Sequence, residues 1–164
     1  MRSESLVLGL GTTRLVLVQP KVVEAILINI ERPYGFREAG GILIGAHRGS
    51  HIEINDCTQP LPKDIRTRTG FYRRDPGHQA SALAAWKASS GTDTFVGEWH
   101  THPEDYPRYS FIDRVTWGTL MCRSREPVVL AIGGWREIWW GLGSEARIQR
   151  LTELTDEPSG LGCA

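Results

Sequence analysis

Apolar and polar positions recur along this chain with two different periods. Leu15 to Val18 is a β-branched apolar run stopped by Pro20 and predicts a first strand. Val22, Val23, Ile26, Leu27 and Ile30 then fall at spacings of three and four, the stripe of an amphipathic helix that Arg32-Pro33 ends. After Gly40-Gly41, the run Ile42-Leu43-Ile44-Gly45 is apolar on both faces and predicts a buried strand. His51 to Asp56 alternates apolar and polar residues and pairs with that strand across Gly49-Ser50. A polar stretch rich in Arg, Pro and Thr follows from Thr58 to Pro76, long for a compact domain and expected to be a functional or mobile loop.

A second helix is predicted over Gly77 to Ser90, closed by Gly91. A strand follows over Thr94 to Thr101, then a third helix over Ser110 to Arg123. Pro127 to Ile132 and Glu137 to Leu142 flank Gly133-Gly134 as a terminal hairpin, and the last ten or so residues read as a frayed tail. The order predicts an α/β fold, a mixed β-sheet with helices, in a single domain over residues 1–164. Its core is expected at about 15–142 and its flexible tail from about 152.

Composition narrows the function classes. The chain has 164 residues, 40% of them hydrophobic and 23% charged, which fits a folded globular domain. Lys+Arg and Asp+Glu are both 19, so the basic excess usual in proteins that grip a nucleic-acid backbone is missing. Three widely spaced cysteines, Cys57, Cys122 and Cys163, form neither a CxxC clamp nor an even disulfide set, as expected of a reduced cytoplasmic chain. The N-terminal runs Leu6-Val7-Leu8 and Leu15 to Val18 are interrupted by Gly9, Gly11, Thr12, Thr13 and Arg14. They are too broken for a signal peptide and too short to span a bilayer.

The sharpest chemistry is His100-Thr101-His102-Pro103, followed by Ser110-Phe111-Ile112-Asp113. On a strand, His100 and His102 share one face, roughly 7 Å apart by strand rise, and can chelate a divalent ion. The chain can then turn back so that Asp113, in the first turn of a helix, adds a carboxylate. Two His and one Asp leave a position open, the pattern of a catalytic zinc site. Ser110-x-x-Asp113 equally matches a helix-capping pattern that needs no metal. A hydrolytic site also needs a general base, and Glu38 and Glu98 both qualify by spacing. Glu98 shares the histidine face of its strand, whereas Glu38 precedes Gly40-Gly41, where no side chain obstructs close approach.

Together, Glu38-Ala-Gly-Gly-Ile-Leu-Ile-Gly45, Gly97-Glu-Trp-His100-Thr-His102-Pro103 and Ser110-Phe-Ile-Asp113 resemble the JAMM (JAB/MPN+) metalloproteases. The resemblance covers about 15 to 142 and implies the family fold, a sheet sandwiched by helices in a cytidine-deaminase-like architecture, with one zinc per chain. It implies His100, His102 and Asp113 as zinc ligands, Glu38 as general acid/base, and Ser110 as the hydrogen-bond donor to the developing oxyanion. It further implies cleavage of a peptide or isopeptide bond after the extended C-terminal tail of a ubiquitin-like protein. Tyr106 and Tyr109, between the ligands, are candidate substrate contacts; Trp99 is expected in the core, and the Arg66 to Arg74 cluster as a solvated loop. The compact chain and its Phe71-x-x-x-Asp75-x-x-His78-Gln79 stretch resemble bacterial stand-alone JAB proteins of CBASS anti-phage operons. These act beside E1/E2-like conjugation enzymes as deubiquitinase-like isopeptidases that release a conjugated cGAS-like nucleotidyltransferase.

Other readings are an enzyme trimming ubiquitin-like or sulfur-carrier precursors, and a catalytically inert MPN interaction scaffold. The H-x-H-x-D-H pattern of metallo-β-lactamases fails, because Pro103-Glu104-Asp105 follows His102. Gly9-Leu-Gly11-Thr-Thr lacks the lysine of a phosphate-binding loop, and no cysteine has a histidine pattern that would make it a nucleophile.

Overall fold

The structure, a computed structural model, describes residues 4–30 and 35–155. In chain order its elements begin β1 (Leu6–Leu10), β2 (Arg14–Val18), α1 (Pro20–Ile28), β3 (Gly40–Arg48) and β4 (His51–Cys57). The short strands β5 (Ile65–Thr67) and β6 (Gly70–Tyr72) precede α2 (Gly77–Ala88), β7 (Thr94–Thr101) and α3 (Phe111–Arg123). The chain continues through β8 (Val128–Gly133), β9 (Ile138–Ser144), β10 (Arg147–Arg150) and β11 (Thr152–Glu153). Nine strands form one mixed sheet in the order β10-β9-β8-β7-β3-β4-β2-β1-β11, and β5-β6 is a separate hairpin. The mixed α/β sheet with flanking helices is the architecture the hydrophobic pattern predicts.

Two apolar layers cover the sheet, and β8 shows why. Val129 and Ala131 join Trp99, Val22, Ile26, Leu43, Ile54 and Trp140 in the larger core, on the α1 side. Val128, Leu130 and Ile132 point the other way, against Trp117 and Met121 of α3 and against Trp139. A strand buried on both faces reads as a continuous apolar run, as β8 does. On β7 the register slips by one residue: Leu43 faces Gly97 but Ile44 faces Phe95, leaving Val96 as the extra residue of a bulge. Val96 thereby reaches the same core as Trp99 despite the odd spacing between them.

The sheet runs past the 15–142 span at both ends. β1 was hidden in sequence because Gly9 looks like an interruption. In the fold, Leu154 lies across that glycine, 3.1 Å from where a Cβ would stand. Thr152–Glu153 pairs with β1, and Leu151, buried between β10 and β11, donates its N–H to Trp140 O at 2.9 Å. The rest of the expected tail, residues 156–164 with Cys163, and the helix stop Arg32-Pro33 lie outside the described residues. Among the described residues no helix is long and apolar enough to cross a membrane.

The Thr58 to Pro76 stretch departs furthest from its expected character as an open loop. It folds around Asp64, whose side chain is fully buried. Oδ2 accepts from the Leu61 N–H at 2.8 Å and from His78 Nε2 at 2.7 Å, and Oδ1 accepts from the N–H groups of Arg74 and Asp75 at 2.9 Å each. His78 Nδ1 lies 2.6 Å from Thr58 Oγ1, which accepts the Ile42 N–H at 2.9 Å. The ring bridges the Asp64 carboxylate and the Thr58 hydroxyl, tying the loop to β3. Arg66 does not float in solvent either: its Nε donates to Glu38 O at 2.9 Å.

Burial acts to raise the Asp64 pKa, but the donors of Asp75, Leu61, His78 and Arg74 outweigh it and hold the carboxyl below its ordinary value. A depressed folded-state pKa stabilises above the unfolded value of about 3.9, and that stability is lost as pH falls through the folded one. Asp64→Ala should cost about 3 kcal/mol at pH 7, since it strands buried donors. The Tm gap to the wild type, measured by calorimetry, should be widest at neutral pH and narrow below about pH 4.

Candidate metal centre and active site

The site lies where β7 ends and α3 begins. β7 and β8 run parallel with α3 as their crossover, so the carboxyl end of β7 and the first turn of α3 share one end of the sheet. The intervening turn is pinned rather than loose. Trp135 N–H donates to Glu104 O at 2.8 Å, and Arg136 N–H to Asp105 O at 3.0 Å. Gly134 is needed there, because a Cβ would stand 2.4 Å from Pro107. His102 N–H donates to Gly133 O at 3.0 Å and holds the second histidine against β8.

His100 and His102 meet through their Nε2 atoms, 3.0 Å apart. Asp113 Oδ1 lies 3.2 Å from His100 Nε2, and Oδ2 lies 3.3 Å from His102 Nε2. All three side chains are largely withdrawn from solvent, and their ligand atoms lie within 4.8 Å of one another. The set suits zinc: ligands at about 2.1 Å on a tetrahedron stand roughly 3.4 Å apart, and two imidazoles with one carboxylate leave a position open. The capping reading is also realised. Ser110 Oγ accepts the Asp113 N–H at 3.1 Å, and Asp113 Oδ2 accepts the Ser110 N–H at 2.6 Å. The cap orients the carboxylate towards the two histidines, so capping and metal binding by Asp113 are compatible.

Electrostatics follow from this crowding. Burial opposes ionisation of Asp113, but hydrogen bonds from His100 and His102 prevail and hold its carboxyl far below the usual range. Burial acts to lower the His102 pKa, yet Asp113, Glu38 and Glu104 outweigh it and raise it. Glu38 is pushed up by burial, with the two histidines offsetting part of the shift. A buried carboxyl poised above its ordinary pKa is suited to taking and returning a proton.

The two glutamates that spacing leaves equivalent have different surroundings. Glu98 Oε1 accepts from Trp117 Nε1 at 2.9 Å, and Oε2 accepts from Arg73 at 2.8 Å, so both of its oxygens are engaged. Both glutamates line a cleft of about 610 Å3 that holds His100, His102, Ser110 and Asp113, with Glu38 buried and Glu98 half-buried. Trp99 is buried in the core as expected, its Nε1 donating to Thr58 O at 2.9 Å. Tyr106 and Tyr109 line a separate depression with Pro107 and Trp139, and the Tyr109 ring packs 5.5 Å from Trp139 and 6.0 Å from Trp117.

The cleft's other wall comes from the β5–β6 hairpin, which sequence reasoning treated as loop. Phe71 covers Gly40, where a Cβ would stand 2.5 Å from its ring, and Gly40 is paired with His100. Phe71, Arg73 and Ile112 thus flank the histidines. Asp75 and His78, noted in the sequence only as a likeness, hold this hairpin in place. The usable signal was an acidic residue amid turn residues, Asp64, with a histidine beyond it.

Protein purified without a metal-binding tag should carry about one zinc per chain by mass spectrometry, and Asp113→Ala should carry none. Ser110→Ala should keep its zinc while losing about 1 kcal/mol of stability, the worth of an N-cap. Absence of metal from the wild type even after zinc is offered would overturn the assignment.

Comparison with known proteins gives the family. Residues 20–147 match the family model described as prokaryotic homologs of the JAB domain. A CD-NTase/cGAS isopeptidase of Escherichia coli is 36% identical over 136 residues, 83% of this chain and 86% of the relative. Another so named, from Pseudomonas aeruginosa, is 46% identical over 99 residues, 59% of this chain and 63% of the relative. A probable metalloprotease of Sinorhizobium fredii is 28% identical over 132 residues, 77% of this chain and 80% of the relative. The solution structure of a Desulfitobacterium hafniense protein matches at TM-score 0.53 and 17% identity, covering 81% of this chain and 87% of that one, and supports the fold. The chain belongs to the prokaryotic JAB family and is a metallopeptidase.

Proposed function

We propose that this chain is a zinc-dependent, deubiquitinase-like isopeptidase. It hydrolyses the bond after the C-terminal tail of a conjugated protein, reversing E1/E2-like conjugation of a cGAS-like nucleotidyltransferase in cytoplasmic anti-phage defence. The observation that carries the chemistry is the buried Glu38 carboxyl beside three converging ligand atoms in an open cleft. The substrate class rests on the CD-NTase/cGAS isopeptidases that the chain resembles over most of its length.

His100, His102 and Asp113 would hold the metal, which when bound supplies a Lewis acid that acidifies water and polarises a carbonyl. Glu38 takes the proton of the attacking water and returns it to the leaving amine. Its raised pKa suits both halves of that task. Ser110 Oγ spends a lone pair on the Asp113 N–H and keeps its own O–H for the oxygen that gains charge. Such a donor contributes roughly 3 kcal/mol in the transition state. The hairpin supports an extended substrate: Gly70, Phe71 and Tyr72 line the cleft, and among the described residues β6 has only β5 as a ladder partner, so a tail can add along it.

The test uses a nucleotidyltransferase conjugate made by the cognate E1/E2-like enzyme, followed by gel and mass spectrometry. Wild-type protein should release the intact tail. Glu38→Gln should keep its zinc and lose about 1000-fold in rate, while His102→Ala should lose zinc and activity together. Cleavage of ubiquitin-like precursors with conjugates left intact would favour the trimming enzyme. Zinc-loaded protein that cleaves neither would favour the scaffold.

A further inference from the structure

Glu38 carries the chemistry proposed above, yet its own strand does not begin until Gly40. Four backbone groups set where its side chain points, and each has a partner. Glu38 N–H donates to Thr67 O at 2.8 Å, and Glu38 O accepts from Arg66 Nε at 2.9 Å. Ala39 O accepts the Thr101 N–H at 2.9 Å, and Ala39 N–H donates to Thr101 Oγ1 at 2.9 Å. Two of the four bonds therefore come from Thr101, the residue between the two histidines.

Ladder geometry gives the last contact its meaning. Gly41 faces Trp99 and Gly40 faces His100, so Ala39 and Thr101 are the next pair along. In an antiparallel pair of this kind each residue donates its N–H to the other's carbonyl. Here the first bond forms in the usual way, while the return bond ends on the threonine hydroxyl. A hydroxyl acceptor in place of the carbonyl lets β3 leave the ladder at this point. The next residue back is Glu38, on the cleft that holds the histidines.

The threonine rotamer is set from the far side of the strand. Thr101 is fully buried, and its methyl lies 3.3 Å from where a Cβ on Gly133 would stand, a spot that Ile26 also crowds. With the methyl lodged there, Oγ1 is directed at Ala39.

Resting on the assignment of Glu38 as the acid/base, we propose that Thr101 is a positioning residue for the reaction: its hydroxyl holds Ala39 off the β7 ladder and so sets the Glu38 carboxylate against the His100, His102 and Asp113 site. Thr101→Val keeps the shape but removes the acceptor. Ala39 N–H is then stranded, or is drawn onto the Thr101 carbonyl and moves Glu38 with it. A displacement of about 1 Å in a reacting group can cost on the order of 100-fold.

The experiment compares wild type, Thr101→Val, Thr101→Ser and Thr101→Ala for zinc content, Tm, amide exchange at Ala39, and kcat and KM on the conjugate. Thr101→Val should keep its zinc and KM, lose protection at Ala39, and drop 10- to 100-fold in kcat; Thr101→Ser should restore both kcat and protection. If Thr101→Val does not fold, Ser against Ala makes the same comparison, with and without the oxygen. Unchanged kcat in Thr101→Val, or equal loss in Ser and Ala, overturns the positioning role. A wild type without activity, or an active Glu38→Gln, instead overturns the functional reading on which it rests.

Discussion

The pairing of β3 with β7 is the constraint on which the rest depends. It sets Gly40 against His100, brings the Glu38 segment to the end of the ladder, and orients the two imidazoles towards α3. A slip of one residue would turn both histidines into the α1 core and Trp99 onto the cleft. The register is protected by backbone contacts that admit only glycine. A Cβ at Gly41 would stand 2.0 Å from Thr58 O, and one at Gly97 would stand 1.8 Å from Val129 O. The paired glycines ahead of the buried strand thus let neighbouring backbone come close on either side of the site.

Much of this was legible in the sequence, because the candidate ligands are local. His100, His102 and Asp113 belong to one strand, one turn and one helix start, and period and capping patterns read such units well. The β7 strand, the α3 start and β4 have the predicted bounds or nearly so, while β3 contains the predicted Ile42 to Gly45 run but extends over Gly40–Arg48. What escaped was non-local. β1 depends on Leu154 lying over Gly9, and the engagement of both Glu98 oxygens depends on Trp117 and Arg73 reaching it from distant parts of the chain. No spacing rule contains that information.

The Thr58 to Pro76 segment shows how composition misleads. Its Arg, Thr and Pro content reads as solvated loop, but the fold uses those groups as internal ties. Asp64 takes four donors, Arg66 holds Glu38 O, and Arg73 bridges to Glu98. Buried polar groups specify a conformation when each one is satisfied. The relay from Ile42 through Thr58 and His78 to Asp64 makes the outer wall of the cleft as dependent on β3 as its floor is.

The stretch from Arg147 to Glu153 has a consequence for how the molecule meets its own kind. Its first half pairs with β9 and its second with β1, so one continuous segment caps both outer margins of the nine-stranded sheet. Unpaired margins are templates for strand addition between molecules. Cutting the chain before Arg147 would bare β1 and β9 together and replace a closed surface with two adhesive ones.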